Sequence, residues 1–554
     1  MKGVSLRCRY FISGLHILLT FLIERFNFYF SWDNITFRTA IPIDNFISDK
    51  AEMALTYIVS KLIAIILILL FWRLVFSIID KNIDLDILKI FGGIFVCGLV
   101  IGLFLYPTDF GIEIDNYATL AQSIRFLPTY WHSIYTGALY AGIIMAFGHP
   151  FFIFVVQWAL YVVAIAGIYC LVSRMTNGSY IKYFSLLFFI IPDNYEIIFD
   201  AYRNNWYTIL CLLYFTYVLR AVFSQQIGLK EKIYFAIASG FLMVWRSEGI
   251  FIGIGGIILL LVRLKSTKKQ IVSIIVIMAG SFVLFSSIQK IGDSKYYAGD
   301  YKIINTINVL NDIFNDPYAN LTYDGATNDL ANIEAVVPVQ IIKETGINGY
   351  RNYNYTQGRD DSNQSMAGAA ASKSYMKSYY RIVAHNLKDY ISVQLSCIFS
   401  CLEFNITPKI YTYTGGEYTS LITAENSQKE LGIQDLKSTF LTEKWENNQV
   451  REKIASTIEG FFSVVKVIMS YTKLMILVRI MTILGIFRGI IVDIKNAIVI
   501  RDYKNIDTLM ISLVIGAEIL AIIMFMPEGR LYYLYPMLYT SYLLIYYRAA
   551  KEIS

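Results

Sequence analysis

Long unbroken apolar runs separated by short polar turns dominate the chain. Runs close to the roughly 20 residues that an α-helix needs to cross a bilayer fall near 10–31, 55–76, 87–106, 151–173, 204–223, 270–288, 470–491, 507–526 and 531–547. Shorter runs fill the gaps: YFSLLFFII before Pro192, KIYFAIASGFLMVW before Arg246, and GIFIGIGGIILLLVRL leading into a basic cluster. Together they predict an all-α polytopic membrane protein with about twelve spans. The opening MKGVSLRCRYFISGLHILLTFLIERF has the basic start of a signal peptide, but no small-residue cleavage site follows its apolar run. It reads as a retained first helix.

Basic loops resist export, so lysine and arginine set the orientation. Lys2, Arg7 and Arg9 put the N-terminus in the cytoplasm, and alternating inside and outside places the loop after Tyr106 outside. The same alternation predicts cytoplasmic positions for Arg174, Lys230, Lys232, the RLKSTKK run at 263–269, Lys495, Arg501, Lys504 and the tail with Arg548 and Lys551. This agreement requires that WHSIYTGALYAGIIMAFG, residues 131–148, does not span. It is expected as a helix lying at the outer face. An integral protein of the cell membrane with both termini cytoplasmic follows.

Three divisions result. Residues 1–288 form an N-terminal transmembrane domain with an outer loop at 107–150; 289–459 form an extracytoplasmic insert of mixed or irregular structure; 460–554 are C-terminal transmembrane helices. Within the insert, a stretch near 373–402 starts amphipathic and ends nearly all apolar, and is expected as one interfacial helix.

Composition agrees with the pattern: 56% of residues are hydrophobic and only 16% charged, with a mean hydropathy of +0.51. Helices in lipid can be apolar all round because their backbone groups bond internally. The net charge of +6 is explained by orientation, so no nucleic-acid partner is expected. The six cysteines sit mostly in apolar runs without metal spacing and read as core residues. The glycines of GGIF (92–95) and GIGGIILLL (253–261) read as helix-packing positions, not phosphate cradles.

Ionisable residues nevertheless gather at the outer border. They occur in YPTDFGIEIDNYATLAQ after Tyr106, in DNYEIIFDAYRNNW (193–206), in WRSEG (245–249) and in PEGR (527–530). Charges so near hydrocarbon are costly unless paired or wetted, and their concentration at one border predicts a polar cavity. Arg246 and Arg530 read in two ways, as anchors among headgroups or as contacts for an anion. The adjacent Glu248 and Glu528 favour the second, because an acid gains nothing beside a headgroup phosphate.

These features resemble the polytopic glycosyltransferases of the GT-C fold, in particular the bacterial RgtA/B/C/D-like branch. The resemblance rests on Asp115 in EIDNYATLAQ, on Trp131 and His132 in YWHSIYTGALYAGIIMAFG followed by HPFFIFVVQ, on WRSEGI, and on MPEGRLYYLYP before the last span. It covers most of the chain through short motifs in a common order. About two spans precede the family's usual first helix, and a Gly-Arg-Leu-Tyr run stands where Arg-Tyr is commoner. The resemblance implies an inverting transfer of a sugar from a polyprenyl-phosphate donor to a glycan or lipid acceptor of the cell envelope, at the outer face and among membrane lipids.

Such a transfer needs a carboxylate to activate the acceptor hydroxyl and guanidinium groups to neutralise the departing phosphate. Asp115 is the expected base, with Asp109 and Glu113 in reserve. Arg246 and Arg530 are the expected phosphate contacts, with Arg203 as a third and Glu248 and Glu528 supporting. His132 would orient the base or donate to the phosphate; a packing role is the competing reading. Asp115 would also suit a helix N-cap before NYATLAQSIRF. The resemblance fixes no cofactor, and the three acids of DFGIEID leave a divalent metal open. The alternatives are a polysaccharide polymerase of the O-antigen or capsule type, and a transporter or flippase. Arginines of such polymerases concentrate in the large loop itself, whereas here they sit at turns between closely spaced helices. A transporter has little use for a large outer insert, and the chain has no inverted repeat.

Overall fold

The computed structural model describes residues 5–27, 50–106, 126, 134–191, 194, 198, 203–224, 228–246, 248–263, 268–296, 303, 306–344, 369–402, 448–471, 473–500, 505–525 and 531–553. Among them all regular elements are helices and none is a strand. In chain order they are α1 (Leu6–Asn27), α2 (Lys50–Ile79), α3 (Leu85–Leu105), α4 (Ile134–Phe147), α5 (Phe151–Met175), a 3₁₀ helix (Tyr180–Ile190), α6 (Arg203–Ser224), α7 (Leu229–Trp245), α8 (Gly249–Arg263) and α9 (Lys268–Tyr296). Then follow α10 (Ile307–Asn315), α11 (Ala326–Glu334), α12 (Val339–Glu344), α13 (Ala369–His385), α14 (Leu387–Cys401), α15 (Gln449–Tyr471), α16 (Leu474–Lys495) with a π-helical turn after it (Asn496–Ile500), α17 (Ile506–Phe525), a single 3₁₀ turn (Leu531–Tyr533) and α18 (Tyr535–Ile553).

Among the described residues, seven helices are long and apolar enough to cross a membrane: α3, α5, α6, and the segments Ala54–Ile79, Lys268–Lys290, Leu474–Val499 and Ile506–Met524. The protein is a helical integral membrane protein. The chain forms two compact units, one of Met1–Gln289, Glu425–Ile515 and Pro536–Ser554, the other of Lys290–Ala424 and Gly516–Tyr535.

In the first unit small residues let helices approach closely. Gly98 and Gly102, one turn apart on α3, leave sockets filled by the rings of Trp158 and Phe154 on α5, where any Cβ would overlap them. The Trp158 indole also donates to the Phe95 carbonyl at 2.9 Å. Gly253, Gly255 and Gly256 on α8 do the same for Met243, Val514 and Tyr214, as the GIGGIILLL run predicts. The GGIF expectation is corrected: a Cβ on Gly93 meets nothing within 4 Å and one on Gly92 touches only Leu88 of its own helix, so α3 packs through Gly98 and Gly102 instead.

The helix predicted over 131–148 is present as α4, but it does not lie at a surface. Twelve of its residues are buried, and Gly142 approaches α2 so closely that a Cβ would stand 2.7 Å from the Ser60 carbonyl. Its end is latched by His16 of α1, whose Nε2 lies 2.8 Å from the Ala146 carbonyl, while the Trp72 indole of α2 donates to His16 Nδ1 at 3.1 Å. An indole N–H only donates, so Nδ1 accepts, and the proton on Nε2 is the one given to Ala146. Cysteine burial is mixed: Cys211 and Cys397 are core residues as expected, whereas Cys8 and Cys97 are exposed.

Elsewhere in this unit, Arg548 pairs with Asp493 and Lys551 with Asp507 at 2.9 Å. Tyr547 donates to Asp507 at 3.0 Å. The basic tail is therefore tied by its charges to α16 and α17.

The described part of the second unit is helical. Asp329, buried on α11, accepts from Ser378 at 2.9 Å and Tyr323 at 2.8 Å and pairs with Arg381 at 3.3 Å. The single helix expected near 373–402 is two, α13 and α14, broken at Asn386. The Asn386 amide is engaged elsewhere: its oxygen accepts from the Asn320 N–H at 2.6 Å and its nitrogen donates to the Asn320 carbonyl at 3.1 Å. An asparagine that bonds backbone in this way competes with helix continuation.

Candidate functional site

The first turn of α6 is polar and aromatic at the head of an otherwise apolar helix. Asn204, Asn205, Trp206, Tyr207 and Thr208 are all buried. Facing it is the tight turn between α7 and α8. Arg246 ends α7 in an extended conformation, and its carbonyl accepts from the Gly249 N–H at 3.0 Å. Only glycine fits at 249, because a Cβ there would overlap the Leu242 carbonyl and lie 3.0 Å from the Tyr207 hydroxyl.

This turn fixes a guanidinium. Arg246 forms an ion pair with Glu248, and both side chains are nearly enclosed, at 11% and 12% exposure. Its Nη1 donates to Asn204 Oδ1, and its charge lies 5.7 Å from the centroid of the Tyr207 ring. The Trp245 indole donates to the Arg203 carbonyl at 3.4 Å, joining α7 to the start of α6. An arginine anchoring a helix among headgroups would extend its head into water; Arg246 is instead held inward by an acid, an amide and a ring. Among the described residues, the start of α6, where the helix dipole is positive, stands beside the Arg246–Glu248 pair, and a helix start of this kind can receive an anion.

Two buried donors here have no hydrogen-bond partner among the described residues, Asn204 Nδ2 and Trp206 Nε1. Neither residue stood out in sequence reasoning, although an Asn-Asn pair opening an apolar helix was a signal. Asn194 was passed over too: its buried amide accepts from Tyr161 at 3.0 Å and also from Tyr539.

The structure brings together Arg203, Arg246 and Glu248. Asp109, Glu113, Asp115, His132, Glu528 and Arg530 lie outside the described residues. The segment that carries the first four is bounded by two anchored ends. Before it, buried Arg451 of α15 caps α3, donating to the carbonyls of Phe104 at 3.0 Å and Leu105 at 3.2 Å. After it, the Ile134 N–H, two residues beyond His132, donates to Gln289 Oε1 at 2.9 Å. Tyr135 donates to the Phe285 carbonyl at 2.8 Å and packs on Phe241 at 5.1 Å between ring centroids. Phe241 in turn contacts Trp245 at 5.3 Å. From Ile134 onward the described chain thus packs, through Tyr135 and Phe241, against α7, the helix that ends at Arg246. Among the described residues no group of three or more His, Cys, Asp or Glu side chains could hold a metal.

Comparison with family models, curated proteins and solved structures gives no match.

Proposed function

We propose that the chain is an inverting membrane glycosyltransferase using a polyprenyl-phosphate sugar as donor and a cell-envelope glycan or lipid as acceptor. The observation that carries this reading is the enclosure of Arg246 against Asn204 and Glu248 at the head of α6. Here the guanidinium meets the donor phosphate, with Arg203 adding charge. Asp115 takes the proton of the acceptor hydroxyl, and its oxygen attacks the anomeric carbon. The bond from that carbon to the phosphate oxygen breaks, the electron pair leaves on the polyprenyl phosphate, and Arg246 stabilises the growing charge. His132 orients Asp115 or the phosphate. Water exclusion by the surrounding aromatic rings strengthens each of these interactions.

In this reading the seven long helices are joined by five more spans, α1, the 3₁₀ helix, α7, α8 and α18. A 3₁₀ helix rises about 2.0 Å per residue, so the 11 residues of Tyr180–Ile190 reach about 22 Å, further than the same length of α-helix. Both termini are then cytoplasmic, and the insert and the site face outward in the cell membrane.

The test is transfer from a defined polyprenyl-phosphate sugar by purified protein, comparing wild type with Asp115→Asn. The amide keeps shape and any capping role but removes the base, so activity should fall at least about a hundredfold. Retention of more than about a tenth of wild-type activity would sink the assignment.

A further inference from the structure

Asn204 enters the transfer reading only through the Oδ1 that holds Arg246. It is completely buried in the first turn of the 22-residue helix α6, and its Oδ1 faces the Arg246 guanidinium. A guanidinium has donors only, so the amide cannot be turned round: Oδ1 must face Arg246, and Nδ2 must face away. That nitrogen has no hydrogen-bond partner among the described residues. Leaving a buried amide donor unmade is costly. Asn204 stands at a helix start, where the first N–H groups lack intrahelical acceptors and the dipole is positive. An idle neutral donor on the amide that holds a guanidinium matches a ligand that is anionic and rich in acceptors, and a tetrahedral phosphate ester meets both demands.

We infer that Asn204 is a phosphate-contacting residue: Oδ1 positions Arg246 while Nδ2 donates to a phosphate ester oxygen seated at the N-terminus of α6. This deepens the function proposed above and rests on it for the identity of the ester, a polyprenyl phosphate. The same geometry would accept free phosphate, and the experiment separates the two.

The decisive variant is Asn204→Asp. A carboxylate keeps the acceptor for Arg246 and strengthens that pairing, so the protein should remain folded with an unchanged or higher melting temperature. It also replaces the idle donor by a negative oxygen facing the anion. Calorimetric titration of the full-length protein in detergent with an isoprenyl monophosphate should therefore show affinity about tenfold to a hundredfold below wild type, the scale of one lost charge-assisted hydrogen bond. Equal or tighter binding by the variant would reduce Asn204 to a clamp on Arg246 and overturn the inference. Should the aspartate variant fail to fold, Asn204→Ala in an Arg246→Ala background decides instead. A residue acting only through Arg246 causes no further loss there, which overturns the inference, whereas a direct contact lowers affinity again. Inorganic phosphate in place of the isoprenyl ester separates this inference from the transfer reading. Asn204-dependent binding of inorganic phosphate alone upholds the site and removes the polyprenyl donor. Asn204-independent binding of the isoprenyl ester upholds the donor and removes the role of Asn204. Failure of wild type to bind either removes both.

Discussion

Trp158 of α5 fills the socket left by Gly98 on α3, its indole occupying the space where a Cβ would stand. Gly98→Ala should therefore force these helices apart and lower the melting temperature of the purified protein, at a cost of about 1–3 kcal/mol. Gly93→Ala, five residues earlier, should do the reverse: its Cβ meets nothing within 4 Å, and alanine gains up to about 1 kcal/mol over glycine in a helix. Equal shifts for the two variants would mean that α3 does not pack through its Gly98 face.

Arg246→Lys tests the enclosed guanidinium. Lysine keeps the charge but reaches Glu248 and Asn204 without the planar fork that serves both at once. Transfer activity should drop about tenfold or more, equivalent to ~1.4 kcal/mol of transition-state stabilisation. Lys268→Arg, exposed at the start of α9, should leave the rate at the wild-type level. A silent Arg246→Lys would return Arg246 to the role of a helix anchor.

Legibility in the sequence follows the range of the interaction. Apolar runs gave α2, α3, α5, α6 and α9 because the demand for continuous hydrocarbon contact is written residue by residue. The Trp245–Gly249 turn was legible for a similar reason, since charge between two apolar runs must lie at a helix end. The break at Asn386 had a local signal that went unused: asparagine at an N-cap with Asp389 in the first turn of α14 is a helix start. The partners of Arg246 and Arg451 had none. Asn204 is 42 residues from Arg246, and Phe104 is 347 from Arg451, and no periodicity links positions that meet only through packing. Burial of α4 was missed likewise, because a helix apolar all round looks the same in lipid and in a protein core.

The second unit carries a titratable weak point at Asp389. Burial raises its carboxyl above the ordinary 3.8, and the neighbouring Asp316 and Asp312 push it further while Lys388 opposes them. Lys388 also reaches Asp316 at 3.9 Å. The folded state thus binds the proton more tightly than the unfolded state. The stabilisation this group contributes is fully present below its unfolded-state value, about pH 4, and is lost as pH rises through the folded value. Hydrogen exchange of α10 and α14 in the intact protein should accelerate across that interval beyond the intrinsic pH dependence. Asp389→Asn should flatten the profile and protect both helices at neutral pH; an unchanged profile in the variant would place the titration elsewhere.

Sidedness depends on α4. Twelve of its 14 residues are buried among helices instead of facing lipid. If it does not span, the alternation from Lys2 onward places the second unit outside and the start of α9 inside. Single cysteines report this directly, in a background where the exposed Cys8 and Cys97 have been replaced by serine. Tyr318→Cys, at a position 87% exposed, should react with a membrane-impermeant maleimide in intact cells. Lys269→Cys should react only after the membrane is opened. The reverse pattern would show that the chain crosses once more before α5, turning the second unit and the α6 site towards the cytoplasm. A donor delivered at the outer leaflet could not then reach Arg246, and the transfer reading would fall with it.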